Sequence, residues 1–405
     1  MTKLRENYKE YNGKLIPKDW EGLKIGDIVK FEGGAQPPKS EFKSVNEEGY
    51  VRLIQIRDYK SDNYITFIPE NLARKFCDET DVMIGRYGPP IFQILRGIKG
   101  AYNVALMKAI PDEDKVSKDY IYYYLQIDSL FKLIDKLSRR SSGQTGVDLD
   151  ALNTFDIPLP SLKEQNKIVN LIKEAEDLVE KQEQLIEKKK EFKKGLMQRF
   201  LSGEVRFKEF NKEWKTMGIG EFAISISELN KDNSDLTVLS CTKYDGLVES
   251  LKYFGKKMFS DDISKYKKVW RNDFAYATNH IEEGSIGVQR ICEVGLVSPM
   301  YTVFRVDTTL VDIDYLFYLL KTDRYISIYK SRMTASVDRR GSLRWSEFSK
   351  IKLYLPCLEE QRKISEVLTL SDKEIELLEK ELESLKLQKK GLMQRLLTGE
   401  VRVKV

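Results

Sequence analysis

A chain of 405 residues, 41% apolar and 11% aromatic, is long enough for two or three domains with packed cores, which excludes wholesale disorder. Sixty-eight basic against sixty-three acidic residues give a formal charge of +5, a basic excess that permits a nucleic-acid partner without demanding one. No run approaches the ~18 apolar residues of a membrane span, and the polar N-terminus MTKLRENYKEYNGKLIPKDW has no apolar signal core. Four scattered cysteines and a single histidine, His280, argue against a zinc site and for a reducing cytoplasm.

In chain order, residues 1–19 read as a polar tail or an extra strand, and WEGLKIGDI (Trp20 to Ile28) opens the first globular segment, 20–160. YVRLIQIRDY (Tyr50 to Tyr59) is a predicted strand rich in branched residues that carries Arg52, Gln55 and Arg57. DVMIGRY (Asp81 to Tyr87) is a second strand, stopped by Gly88, Pro89 and Pro90, and Ala101 to Ala109 a third. YIYYYLQIDSLFKLIDKL (Tyr120 to Leu137) has the spacing of one amphipathic helix. The polar loop SRRSSGQTGVD (Ser138 to Asp148) and a strand at Phe155 to Leu159 complete the segment.

A long helix follows, within 161–206. Ser161 is a good N-cap and Glu164 stands three residues on, the pattern of a capping box. Leu171, Ala175, Leu178, Gln182, Leu185, Lys189, Phe192 and Leu196 form a heptad stripe, with Glu and Lys filling most other positions. About 38 residues at ~1.5 Å each give a rod of about 57 Å.

The second half repeats this order. WKTMGIGEF (Trp214 to Phe222) opens the segment 207–356; strands are expected at Leu236 to Cys241, Asp273 to Thr278, Tyr301 to Val306 and Ile351 to Leu355, and a helix at Tyr315 to Tyr329. The loop SRMTASVDRRGS (Ser331 to Ser342) stands where the first half has SRRSSGQTGVD. A second long helix lies in 357–405, where the stripe is Ile364, Leu368, Ser371, Ile375, Leu378, Leu382, Leu385, Lys389, Leu392 and Leu396. LPSLKEQ and LPCLEEQ open the two helices, and GLMQRFLSGEVR and GLMQRLLTGEVR close them, every matched position 196 residues apart. The chain is therefore two homologous α+β halves, each leaving through a long helix, and the two helices are expected to pack antiparallel with the halves at opposite ends of a rod.

Enzyme signatures are missing. The sequence has no GK[ST] phosphate loop and no GxGxxG after a strand, a lone histidine builds no triad, and Asp261/Asp262 or Glu282/Glu283 are sequence neighbours rather than a shared cleft. Binding fits better. Arg139, Arg140, Ser142, Gln144 and Thr145 in the first loop, and Arg332, Arg339 and Arg340 in the second, are residue types that reach base edges or phosphates. Arg86-Tyr87 and Asn279-His280 sit at matching strand ends, where loops commonly place binding groups.

With these motifs the chain resembles the specificity subunit of a type I restriction–modification system. The resemblance implies two homologous mixed α/β target-recognition domains separated by two long antiparallel coiled-coil helices, each domain reading one half of an asymmetric bipartite double-stranded DNA target. It implies that the helices fix the spacer, about 17 base pairs at ~3.4 Å per pair for a rod of this length. It also implies as partners two methyltransferase (modification) subunits and two restriction subunits with translocase and nuclease activity. S-adenosylmethionine, ATP and Mg would bind those partners, with no cofactor in this chain. Leu162, Gln165, Leu358 and Gln361, at the helix starts, would frame the docking of the modification subunits. A related, differently organised methylase–nuclease system and a coiled-coil adaptor that binds only proteins remain as alternatives on the sequence.

Overall fold

The structure is a computed structural model, described for residues 7–139, 146–333 and 341–403. It divides into two compact units, residues 1–183 with 381–405 and residues 184–380. Each unit thus holds one globular half together with the beginning of its own long helix and the end of the other.

In the first unit the core sheet has four antiparallel strands in the order Val29–Gly33, Leu106–Pro111, Val82–Gly85 and Ile94–Leu95. A second sheet orders Phe67–Pro69, Tyr50–Ile54, Gly100–Tyr102 and Phe76–Cys77, with Tyr50–Ile54 and Gly100–Tyr102 parallel. Asp156–Leu159 pairs with Glu21–Lys24, so the strand that enters the long helix is tied to the start of the domain. The polar N-terminal stretch is a hairpin, Tyr8–Tyr11 with Lys14–Pro17.

The second unit repeats the frame. Its four-stranded antiparallel sheet orders Ala223–Ile226, Tyr301–Val306, Phe274–Ala277 and Ile286–Val288, and Lys215–Gly218 pairs with Lys352–Leu355 as the entry to its helix. The interior differs, with Leu239–Thr242 against Gly246–Glu249 and Lys267–Trp270 against Val294–Val297 in place of the second sheet of the first unit.

Several predicted elements are shorter or divided. The strand predicted at Tyr50 to Tyr59 ends at Ile54; Gln55 then caps a 3-10 turn, Ile56–Tyr59, because Asp58 turns back to accept the Gln55 N–H at 3.0 Å. Arg57 therefore leaves the strand and shares no face with Arg52. The strand predicted at Ala101 to Ala109 is two, Gly100–Tyr102 and Leu106–Pro111, in different sheets. Each amphipathic helix is also two, Lys118–Tyr124 with Asp128–Ser138 and Ile313–Leu320 with Asp323–Arg332.

Both long helices are continuous, Leu162–Leu201 and Leu358–Leu397, each 40 residues and therefore about 60 Å long. They pack antiparallel in each unit. In the first, Glu183 meets Lys386 at 2.9 Å and Glu176 meets Lys389 at 3.4 Å. In the second, Lys190 meets Glu379 at 2.9 Å and Lys189 meets Glu374 at 2.6 Å. The second helix buries its predicted stripe wholly or partly as far as Lys389, but Leu392 is 36% exposed. In the first helix half of the predicted stripe holds, Ala175, Gln182, Lys189 and Leu196 being half-buried, and the other half is shifted by one residue. Ile172, Val179 and Ile186 are buried, whereas Leu178 is 56% and Phe192 62% exposed, and Leu171 and Leu185 also face outward. No helix among the described residues is long and apolar enough to cross a membrane.

Each core is closed by a helix end from the other half. Leu396 and Leu397 pack with Trp20, Ile168 and Ile172 in the first unit, and Leu201 packs with Trp214, Ile364 and Leu368 in the second. After each helix a glycine with positive φ, Gly399 (+73°) or Gly203 (+78°), reverses the chain against that tryptophan.

Candidate nucleic-acid interface

The reversal delivers an arginine to the other helix start. Arg402 holds Glu164 through Nε at 2.7 Å and Nη2 at 2.8 Å, and it also grips Asp19 at 2.8 and 2.9 Å. The Trp20 indole N–H donates to the same Glu164 at 3.0 Å. In the second unit Arg206 holds Glu360 through Nε at 2.9 Å and Nη2 at 2.7 Å. The Trp214 indole N–H is buried there without a partner among the described residues. The hydrogen bond from Arg402 holds the Asp19 carboxyl below its usual range. Ser161 does cap its helix, its Oγ accepting the Glu164 N–H at 3.4 Å. The Glu164 carboxylate does not return to the cap, because the Arg402 guanidinium and the Trp20 indole claim both of its oxygens.

This clamp and its neighbours define what the helix starts can offer. Gln165 is buried; its Oε1 accepts the Ser117 N–H at 3.0 Å, and its Nε2 donates to Lys115 O at 2.8 Å and Pro160 O at 2.9 Å. Gln361 is buried in the same way, bonded to Asp312 at 2.9 Å, Pro356 at 3.0 Å and Leu310 at 3.4 Å. Both amides work inside their own units, fastening the helix start to the loop before the preceding helix pair. Of the four residues singled out there, Leu162 is exposed and Leu358 half-buried, and these keep surface for a partner.

Two of the predicted recognition pairs, Arg86-Tyr87 and Asn279-His280, stand just beyond the ends of core strands. In the first unit Arg86 and Tyr87 continue the strand Val82–Gly85. Tyr87 bridges Gly146, and the Val147 N–H donates to Arg86 O at 3.1 Å. The last residues of the polar loop are thus laced to the strand end. The Arg86 guanidinium lies 5.3 Å from the Tyr87 ring centroid and donates to Val104 O at 3.4 Å, an amphipathic pair with Tyr87 exposed. In the second unit the Leu343 N–H donates to Thr278 O at 2.8 Å, the same lacing at the strand that leads into Asn279 and His280. Asn279 is half-buried and His280 exposed, with Nδ1 3.4 Å from Glu283. Arg139 is exposed and paired with Asp135 at 2.8 Å, and Arg332 is exposed at the end of its helix. Arg140, Ser142, Gln144, Thr145, Arg339 and Arg340 lie outside the described residues.

Arg52, Gln55 and Arg57 form no row. Arg52 is bound to Asp62 at 3.0 Å, Gln55 donates to Thr66 at 2.9 Å, and the Arg57 guanidinium sits 5.6 Å from the Tyr64 ring centroid. Arg57 is the most exposed of the three, and Arg52 is largely committed to its own turn.

Other chemistry is sparse. His280, Glu282 and Glu283 bring ligand atoms within 4.8 Å of one another, the one such group among the described residues. Burial pushes the Cys241 thiol up to about 12 and the Cys77 thiol up to about 11, far from the range of a nucleophilic thiolate. A cavity of about 350 Å³ near His280 is lined also by Asn279, Phe259, Tyr266, Tyr301 and Met258. Beside it runs LKYFGKKMF (251–259), exposed from Leu251 to Met258, which the sequence reading passed over. Its signal was available as lysines interleaved with aromatic and aliphatic residues and no acid among them.

Comparison with known proteins points one way. A family model described as the type I restriction modification DNA specificity domain matches residues 17–188 and 211–387. The type I restriction enzyme MjaVIII specificity subunit of Methanocaldococcus jannaschii is 27% identical over 419 residues, covering 98% of this chain and 97% of that one. A putative MjaX specificity subunit from the same organism is 25% identical over the full length of both. Among solved structures, the S subunit of a type I restriction–modification system from M. genitalium has a TM-score of 0.51 at 16% identity, covering 96% of this chain and 98% of that one. The HsdS subunit of Thermoanaerobacter tengcongensis has a TM-score of 0.55, also at 16% identity, covering 96% and 99%. These structural likenesses share the fold.

Proposed function

Because the chain belongs to the family of type I restriction–modification DNA specificity subunits, we propose that each of its globular halves reads one half of a bipartite, asymmetric DNA target. Subunits of this family are the non-catalytic specificity components of their complexes and act with DNA, methyltransferase and restriction subunits. The domains read as 20–160 and 207–356, the helices as 161–206 and 357–405.

The observation that carries the reading is the repeated lacing of a basic polar loop to the end of a core strand, Val147 to Arg86 and Leu343 to Thr278. One frame is presented twice with unlike side chains, Arg86-Tyr87 in one and Asn279-His280 in the other, which suits two different half-sites. Arg86, Tyr87, Arg139, Asn279, His280 and Arg332 are the described candidates for base or phosphate contact, with Arg57 beside them. The helices would set the spacer, about 60 Å of rod for roughly 17 base pairs.

The outward heptad Leu171, Leu178, Leu185 and Phe192 supports docking of a helix from a modification subunit, since an apolar stripe of that period is covered by helical partners. Two modification subunits match the twofold repeat of helix starts, with Leu162 and Leu358 at equivalent places, and two restriction subunits would join them. S-adenosylmethionine, ATP and Mg would be held by those partners, in the cytoplasm.

The test is base-resolved adenine methylation of DNA from cells expressing this chain with its modification subunit, against cells lacking the chain. A new asymmetric motif with a fixed gap is expected. Absence of new methylation from an assembled complex with an intact methyltransferase would favour a protein-binding adaptor.

A further inference from the structure

The segment 251–259 is unlike the rest of the surface. Leu251, Tyr253, Phe254 and Met258 are all exposed, 43–58% by residue, over eight positions. Four large apolar side chains displayed together near a tip are costly to leave in water and are rarely without use. The helix Ser250–Phe254 ends at Gly255, whose φ of +65° turns the chain back, and a Cβ built there meets nothing within 4 Å. The turn therefore faces open space. Lys252, Lys256 and Lys257 flank the apolar groups. Lys257 is paired with Asp261, whereas Lys252 and Lys256 have no ion-pair partner among the described residues. At the root, Met258 and Phe259 line the same cavity as Asn279 and His280, so the tip adjoins the strand end assigned to base reading.

We propose that this tip is a wedge that inserts Leu251, Phe254 and Met258 at a base step of the half-site read by the second domain, while Lys252 and Lys256 neutralise the flanking phosphates. The proposal rests on the DNA-reading role given above and adds to it a deformation of the duplex. Apolar side chains partly unstack a step and kink the helix, and flexible steps yield most easily, so the wedge contributes specificity at bases that no polar group touches. Cationic flanks favour DNA over an apolar protein groove, which would leave two ammonium groups facing a surface with no charge to meet them. Among the described residues the first domain has no counterpart. Its matching region is the pair of 3-10 turns Ile56–Tyr59 and Asp62–Tyr64, where the exposed Tyr64 is covered on one side by Arg57. The two half-sites should therefore differ in distortion.

The experiment uses the assembled complex of this chain with its modification subunit and the target mapped by methylation, with 2-aminopurine placed in turn at each position. Unstacking should raise fluorescence at one step of the second domain's half-site and at none in the first. The Leu251→Ser/Phe254→Ser/Met258→Ser variant, altered only at exposed positions, should abolish that signal and weaken specific binding by roughly 5- to 150-fold, the span expected for lost base stacking. Lys252→Ala/Lys256→Ala should keep the fluorescence signal at saturating protein and flatten the salt dependence of binding. Unchanged fluorescence and affinity in the serine variant, with the wild type still binding its target, would overturn the wedge and leave the DNA-reading role standing. Loss of modification-subunit assembly in that variant, with DNA binding intact, would reassign the tip to a protein contact. A wild-type complex that binds no specific sequence would overturn both readings.

Discussion

Arg402→Ala tests how much the arginine clamp holds the first unit together. The arginine donates two hydrogen bonds to Glu164, whose side chain is 3% exposed, and two to Asp19 at the surface. Removing it leaves a carboxylate buried with only the Trp20 indole N–H for company. Breaking a fully buried pair costs about 3–5 kcal/mol. Here the arginine side chain is 33% exposed, so water screens part of the interaction and can reach the vacated site. The Asp19 contact, with its acid at 65% exposure, adds little. The expected loss is therefore about 2–3 kcal/mol. Trp20 is the single tryptophan of the first unit, so 5-fluorotryptophan labelling and urea unfolding followed by its ¹⁹F resonance read that unit alone. Adding Glu164→Gln to the variant should recover about 1 kcal/mol or more, because the neutral amide still accepts the indole proton and no unpaired charge stays buried. A loss under about 0.5 kcal/mol, or no recovery in the double variant, would refute the view that Glu164 depends on this guanidinium.

Asp81 gives a pH signature. Burial pushes its carboxyl up, but the Asp78 N–H at 3.0 Å and the Lys118 and Lys108 ammonium groups at 2.9 and 3.2 Å outweigh this and hold it below its ordinary 3.8. The stabilisation is thus fully present above about pH 3.8 and lost as pH falls through the lowered folded value. Asp81→Asn should cost about 1.5–3 kcal/mol at pH 7, with the gap to wild type closing only in that acid range in pH-resolved urea melts. Gln165→Ala and Gln361→Ala should each destabilise their own unit by about 1–3 kcal/mol, since each strands a buried N–H and carbonyl. The same melts would show a partner-docking role instead if stability were unchanged while modification-subunit binding fell.

The repeat and the two long helices were legible because local pattern and the 196-residue offset fix them. Half of the first helix's seam was misread by one residue for a physical reason. The first helix carries two adjacent apolar heptads, Leu171/Leu178/Leu185 and Ile172/Val179/Ile186, and periodicity alone does not say which one the partner helix covers. The break in Tyr120 to Leu137 carries neither Gly nor Pro; tertiary packing of Leu125 and Ile127 into the core makes it. Arg52, Gln55 and Arg57 failed as a row because Asp58 caps a turn, a choice set by one side chain. The strand ends Arg86-Tyr87 and Asn279-His280 were found from position in the repeat, but their lacing to the loops depends on backbone pairing across about 60 residues. The clamp was hidden altogether, since Glu164 and Arg402 are 238 residues apart.

That separation has a consequence for biosynthesis. The first unit needs Leu396, Leu397 and Arg402 to close its core, yet its own globular half is complete by residue 160. At ~5–20 residues per second, the ribosome needs roughly 10–50 s more to deliver those residues. Throughout that interval the nascent first half carries an open apolar seat around Trp20 and an unpaired Glu164. A frameshift near the end of the second half would leave the first half permanently in that state. The first domain is therefore finished after the second, whose core is already closed by Leu201, Ile364 and Leu368.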